Sequence, residues 1–412
     1  MRILTVVLLA LPLATAALAD EAPGTVVFAE SWPEHTVLDL PDLPDAPDVW
    51  RETLGAAHRI DLAGFYFSRK GDGKDAYGPD SAPDLLAPVL DAVAAAAGRG
   101  APVRCLADAK FAQNYPDVPA WLGALPGAAT RTWQVPWGGV LHAKYFLADD
   151  DKFWIGSQNF DWRALGQIHE LGVLVRDPVL AGHVQGIFDA DWTAAGGEAV
   201  TWSDPAPARL ADLPTRPLRT PDGAEVAALV AASPQLGLPD GVPWDLPLLV
   251  EMIDAARDSV HVQLLSYGVS DREKRLFDDL DRALRRAAVR GATVRIILSN
   301  WAETKYALPW IRSLAAIDGI EVRFTSIPEH PDGFIPFARV EHAKYLTVDG
   351  NACWVGTSNW SRDYFFESRN LGLILLGEGA AAACDRFFNL SWQGPYAETV
   401  SPCGEYKAPR RS

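Results

Sequence analysis

The chain has 412 residues, 49% of them hydrophobic and 22% charged, enough to build two or three domains or one large duplicated unit. Its formal net charge of −16 excludes a body that holds polyanions non-specifically over its whole surface, while leaving room for a small basic cleft.

The first element in chain order is "MRILTVVLLALPLATAALAD", with basic Arg2, an apolar run and the small-residue site Ala17-Leu18-Ala19. This pattern predicts a secretory leader over residues 1–19, cut before Asp20; the run is short for a membrane span. No later stretch reads as a spanning helix, so the mature chain is expected to be exported, periplasmic or secreted, without stable membrane insertion. Export permits disulfides. Of four cysteines, Cys105 and Cys353 lie in apolar, strand-like runs and read as buried free thiols, whereas Cys384 and Cys403 could close a short loop. With no C-x-x-C, a structural zinc site is not expected.

After an acidic, proline-rich surface segment (Leu38 to Asp48), "HRIDLAGFYFS" (from His58) predicts a strand. "APDLLAPVLDAVAAAAGRG" then predicts a helix stopped at Gly100, and "RGAPVRCLAD" a second strand. "GVLHAKYFLADDDKFWIGSQN" begins at Gly139 and leads to "HELGVLV" and a final helix. Prolines crowd Ser203 to Gly223, the expected connection, taken as residues 204–222. The same order then returns: "DSVHVQLLSYG", "REKRLFDDLDRALRRAAVRG" stopping at Gly291, "RGATVRIILS", "RVEHAKYLTVDGNACWVGTSN" from Arg339, and "RNLGLIL". Strand–helix alternation predicts an α/β chain of two duplicated halves, residues 20–203 and 223–412.

Polar residues repeat as well as apolar ones. His142, Lys144, Asp149, Gly156 and Asn159 return 200 positions later as His342, Lys344, Asp349, Gly356 and Asn359. Duplication retained for folding explains repeated apolar residues, but not this set. Alternate residues of an extended chain share a face, so each His–Lys pair projects together. Lys144, Lys344, Asn159, Asn359, Ser157 and Thr357 are candidate phosphate ligands, as point charges, amides and hydroxyls. Two half-sets facing one another would place a histidine on each side of phosphorus: one attacks to form a phosphohistidine, and the other protonates the leaving oxygen and then activates water. Lysines and amides already supply the charge stabilisation, so neither metal nor cofactor is expected. Asp149 and Asp349 occupy strand–turn positions suited to capping backbone groups. Glu170 stands at the offset expected to orient His142. Asn370 occupies the equivalent place in the second half, with Glu367 three residues earlier as the displaced carboxylate candidate.

These motifs resemble the phospholipase D superfamily, with its double HKD signature, over nearly the whole mature chain. "AESWPE", "GVLHAKYFLAD", "GSQNFDWRAL", "HELGVL" and "GTSNWSRDYFFES" are closest to the animal lysosomal phospholipase D-like branch. That branch acts as 5′ exonucleases on single-stranded DNA and RNA and has also been linked to lysosomal phospholipid metabolism. The resemblance implies two phospholipase D-like α/β sandwich halves packed pseudo-symmetrically around one shared active site. It makes His142 the nucleophile and His342 the general acid, with Lys144, Lys344, Asn159 and Asn359 binding phosphate. The branch often carries Glu where Asp349 stands, and Asn300 replaces its usual cysteine, so its disulfides do not transfer. Among substrates, a single-stranded nucleic-acid end calls for stacking aromatics, and Trp133, Trp137, Trp162, Trp360, Tyr364 and Phe365 lie around the motifs. A phospholipase or transphosphatidylase would use an apolar mouth, and a non-catalytic envelope or binding protein would not need intact motifs.

Overall fold

The computed structural model describes residues 23–73, 77–271 and 273–412; the expected leader, residues 1–19, lies outside the described residues. The first half runs β1 (Gly24–Ser31), α1 (Ala46–Ala56), β2 (Ile60–Gly64), β3 (Phe67–Ser68), α2 (Leu86–Gly98), β4 (Val103–Asp108), α3 (Asp117–Gly123), β5 (Ala128–Trp133), β6 (Tyr145–Ala148), β7 (Lys152–Gly156), β8 (Phe160–Asp161), α4 (Trp162–Gly166), β9 (Glu170–Arg176) and α5 (Pro178–Ala195). A connecting strand, β10 (Arg216–Arg219), follows. The second half runs β11 (Glu225–Ser233), α6 (Asp245–Ala255), β12 (Ser259–Leu264), α7 (Asp279–Val289), β13 (Thr293–Ser299), α8 (Leu308–Ala315), β14 (Ile320–Thr325), β15 (Tyr345–Val348), β16 (Ala352–Gly356), α9 (Arg362–Phe366), β17 (Asn370–Leu376), α10 (Ala382–Gln393) and β18 (Ala397–Thr399).

Local sequence explains these elements. In α2, Leu86, Val89, Leu90, Val93, Ala96 and Ala97 form one buried stripe, and in α7 Leu280, Ala283, Leu284 and Ala287 do the same. The chain then turns at Gly100 (φ +100°) and Gly291 (φ +99°), conformations that cost a glycine little. The second helix starts later than expected, at Asp279, leaving its charged lead-in outside the helix.

Among the described residues, 16 strands form one mixed sheet in the order β18-β14-β13-β12-β15-β16-β17-β11-β10-β1-β9-β7-β6-β2-β4-β5. The expected connection is therefore not structureless throughout. β10 lies within it, pairs parallel with β1 and antiparallel with β11, and joins the two half-sheets edge to edge. Strand side chains alternate between two cores. Tyr145 and Leu147 face an apolar core that also holds Tyr345, Ile187 of α5 and Phe387 of α10. Phe146 and Ala148 face the core covered by α1 and α2, and Leu346 and Val348 the one under α6 and α7.

The cysteine expectation is corrected. Cys403 is exposed, whereas Cys384 is buried on α10 with its Sγ 2.9 Å from that of Cys353. Burial of Cys384 in the helix–sheet core keeps it from the exposed tail that carries Cys403. Cys105 is a buried free thiol in β4.

Candidate active site

Each His-x-Lys segment lies just before a strand, β6 or β15, where the other half of the molecule pins it. The backbone N–H groups of His142 and Ala143 donate to the carbonyl of Arg369 (3.0 and 2.9 Å). Those of His342 and Ala343 donate to the carbonyl of His169 (2.9 and 3.2 Å). Short parallel bridges, Leu141 with Arg369 and His169 with Glu341, complete the crossing. The residue that follows each pinning carbonyl is thus delivered to the opposite half.

This crossing corrects the expected partners. Glu170 Oε2 lies 2.7 Å from His342 Nδ1, not beside His142; His142 Nδ1 instead meets Asn370 Oδ1 at 3.1 Å. Asn370 Nδ2 donates to the carbonyls of Tyr364 (2.9 Å) and Ser368 (3.5 Å), which turns the amide oxygen toward the ring. His142 Nδ1 therefore carries a proton and its Nε2 is the free nitrogen. The Glu170 carboxylate imposes the same tautomer on His342. Glu367 does not serve either histidine: it caps α9, is a quarter exposed, and pairs with Arg362 and with Arg275 at 3.2 Å.

The two lysines are fully buried, and each ammonium donates to the carbonyl of its own motif histidine. Burial drives both down, Lys344 to about 7 against the pull of Glu170 and Glu341, and for Lys144 the nearby Lys344 adds to the fall. Burial, with the two lysines nearby, also holds His142 and His342 well below the ordinary imidazole value. Burial pushes Glu170 up to about 7 against the pull of Lys344, Ser157 and Lys144. These mutual influences place both histidines, both lysines and Glu170 in one electrostatic unit. The unit sets one carboxylate among two lysines and two histidines, and a bound phosphodiester would favour their protonated forms.

The buried oxygens Asn159 Oδ1 and Asn359 Oδ1 have no hydrogen-bond partner among the described residues. Ser157 and Thr357 do not match the expected phosphate contact. Ser157 Oγ exchanges 3.1 Å bonds with the backbone of Leu171, and Thr357 Oγ1 donates to Asn370 Oδ1 at 2.9 Å while accepting from Leu371 N–H. Both are committed to holding the residues that orient the histidines. Asp149 and Asp349 stand in turns at φ +61° and +52° and accept backbone N–H bonds, Asp149 from His58 and Arg59, Asp349 from Arg257, Asp258 and Ser259.

Of the six aromatics named from sequence, Tyr364 reaches a site histidine, its ring 4.8 Å from that of His142. Trp162, Trp360 and Phe365 are buried in apolar cores. Trp133 and Trp137 pack with Trp202 around the Arg369 guanidinium. Sequence reasoning missed Phe65, whose ring lies 5.0 Å from His142 and 3.8 Å from Phe111. It directly follows β2, at the strand end where α/β sheets present ligand-facing residues, and that position was the available signal. Asp108 was also missed: it ends β4 and accepts N–H bonds from Lys110, Phe111 and Leu141, fixing the approach to His142.

Among the described residues one group of metal-ligand type, Glu34, His35 and His330, brings its ligand atoms within 4.8 Å. His330 Nδ1 accepts from Asp332 N–H at 3.2 Å, so the neutral ring carries its proton on Nε2 and offers no lone pair toward Glu34. The group does not fit a cation.

Residues 135–328 match a family model described as "PLD3/4, PLD-like domain", and residues 52–192 one described as "Cardiolipin synthase, PLD-like domain". The chain is 31% identical to the 5'-3' exonuclease PLD3 of Bos taurus over 93% of this chain and 82% of that protein. It is 28% identical to phospholipase D Z of Dictyostelium discoideum, covering 92% of this chain and 91% of that one. Phosphatidylserine synthase of Haemophilus influenzae Rd KW20 shares the fold at a TM-score of 0.60 and 12% identity, over 92% of this chain and 89% of that chain.

Proposed function

Because this chain belongs to the phospholipase D superfamily, we propose that it is a phosphodiesterase that turns over through a phosphohistidine on His342, with His142 as proton donor. One observation carries this order of roles: Glu170 holds His342, and an amide holds His142. A carboxylate accepting the Nδ1 proton raises the basicity of Nε2 and stabilises the ring as it becomes cationic. A neutral amide orients its ring without stabilising the cation, which leaves the imidazolium the stronger acid.

His342 Nε2 attacks phosphorus as the P–O bond to the leaving group breaks, and that oxygen takes the proton of His142 Nε2. Water then attacks the phosphohistidine. It gives one proton to His142 Nε2, the P–N bond breaks, and both histidines return to their starting state. Lys144, Lys344, Asn159 and Asn359 surround the phosphoryl oxygens. The entering anion stabilises the protonated lysines and raises both histidines, and the reacting state is the one with the shared proton on His142 Nε2 and His342 Nε2 bare.

The substrate we favour is single-stranded DNA or RNA, attacked from the 5′ end, by an exported enzyme. Support comes from the exonuclease named among its relatives and from Phe65, a half-buried aromatic ring 5.0 Å from that of His142 where an unpaired base would stack. A second reading, phospholipid hydrolysis or transphosphatidylation, rests on the Dictyostelium relative's name. Among the described residues no helix is long and apolar enough to cross a membrane. The deciding experiment incubates purified mature protein in EDTA with 5′- or 3′-labelled single-stranded DNA and, separately, with phosphatidylcholine liposomes. Stepwise shortening from the 5′ end is expected. Choline release with intact DNA would establish the second reading instead, and activity restored only by added metal would refute the mechanism.

A further inference from the structure

Behind the catalytic cluster, Arg369 and His169, at equivalent places in the repeat, each meet a buried carboxylate. Arg369, which precedes Asn370, pairs with Asp191 of α5 at 2.9 Å, both side chains fully buried. His169, which precedes Glu170, pairs through Nδ1 with Glu341 Oε2 at 2.9 Å, again with both side chains fully buried. Ser391 of α10, 200 positions after Asp191, lies 3.4 Å from both members of the His169 pair. Each pair thus fastens the residue whose carbonyl holds the opposite His-x-Lys backbone.

We propose that His169 is a positioning residue: a buried imidazolium, locked to Glu341, that keeps Glu170 and His342 in register and loosens that arm as the pH rises. The proposal rests on the roles assigned above to His342 and Glu170. His169 stacks on Phe387 of α10, ring centroids 4.2 Å apart at 16°, so the ring cannot tilt without disturbing that core. Its carbonyl accepts from both His342 and Ala343, and Glu341 is the neighbour of His342 in sequence. The groups facing it are acidic or neutral: Glu341 before β15, Glu30 from β1, Glu170 from β9 and Ser391 from α10. Burial opposes the charge, but Glu341, Glu30 and Glu170 outweigh it, and the net shift is upward from the ordinary imidazole value. The sign follows. The locking contribution is complete below the ordinary imidazole value and is lost as pH climbs through the raised one. In the other arm burial pushes Asp191 up to about 6, so that pair weakens as the pH falls, whereas the His169 pair weakens as it rises.

Two measurements on the full chain test this. Nitrogen-15 NMR of histidine-labelled wild-type protein, with the His169 resonance assigned by its displacement in Glu341→Gln, is expected to show an imidazolium at pH 7; a neutral His169 there overturns the proposal without any variant. In steady-state kinetics on a p-nitrophenyl phosphodiester, His169→Gln is expected to lower kcat roughly 10- to 100-fold with KM little changed. His169→Lys is expected to restore part of that loss and carry the alkaline limb of kcat to higher pH. Wild-type kcat and an unmoved alkaline limb in both variants would refute the role. If His342 is still phosphorylated in those variants, the failure belongs to this inference alone; absence of label from wild-type His342 would count against the catalytic roles instead.

Discussion

The two arms of the site share a backbone plan and differ in the chemistry placed on it. In one, Glu170 holds His342 and the His169–Glu341 pair stands behind; in the other, Asn370 holds His142 and the Arg369–Asp191 pair stands behind. The orienting carboxylate and the imidazole pair fall on the same arm. A duplicated fold thus supplies two matched positions, and single substitutions at them separate a base from an acid without moving the chain. Burial and the two lysines lower both histidines from the ordinary imidazole value, so the orienting partner is what sets the two arms apart.

Removing the histidines should expose that difference most strongly. His342→Ala is expected to abolish both the phosphoenzyme and turnover. His142→Ala should slow an alkoxide leaving group by about 10²–10⁴-fold, and a p-nitrophenolate, which needs no proton, far less. Equal loss on both substrates for both variants would erase the distinction between the arms. The orienting partners come next: Glu170→Gln should reduce kcat roughly 10- to 100-fold and Asn370→Ala by about tenfold or less, because a carboxylate both orients and stabilises charge whereas the amide only orients. Rate profiles that rank these two the other way would favour His142 as the base.

How the arms share charge can be read from binding. Lys344, held at about 7 by burial, should rise when an anion enters, so phosphate binding near pH 7.5 should take up protons. Calorimetry in phosphate-free buffers of different ionisation enthalpy measures that uptake directly; zero or negative uptake would mean the buried lysines are already fully charged. The smallest effects on activity belong to the motif aspartates. Asp149→Ala and Asp349→Ala should each cost about 1–3 kcal/mol of stability. Asp349, with three backbone N–H partners against two, should cost more, and kcat should be unchanged in protein that remains folded.

Much of this plan is legible in the amino-acid sequence. The offset of 200 marked the histidines, lysines and asparagines, helical spacing marked α2 and α7, and position beside a turn marked the aspartates as structural. These signals are local, because periodicity and turn chemistry act over a few residues. The exchange of orienting partners was not legible. Aligning the halves shows that Glu170 and Asn370 are equivalent, but not that each pinning strand crosses to the other half. For the same reason Ser157 and Thr357 looked like anion ligands until their bonds to Leu171 and Asn370 were seen, and Cys384 looked free to meet Cys403. His169 and Arg369 could have been singled out. They are equivalent in the repeat, both can carry positive charge, and each directly precedes an orienting residue.

The central claim is that the crossed carboxylate selects the nucleophile, and trapping the intermediate tests it most directly. Wild-type protein turning over a labelled phosphodiester, quenched in acid, brought to alkali and digested, should yield an alkali-stable, acid-labile phosphohistidine in the peptide containing His342, with His142→Asn increasing its yield. Label confined to His142 would contradict the account.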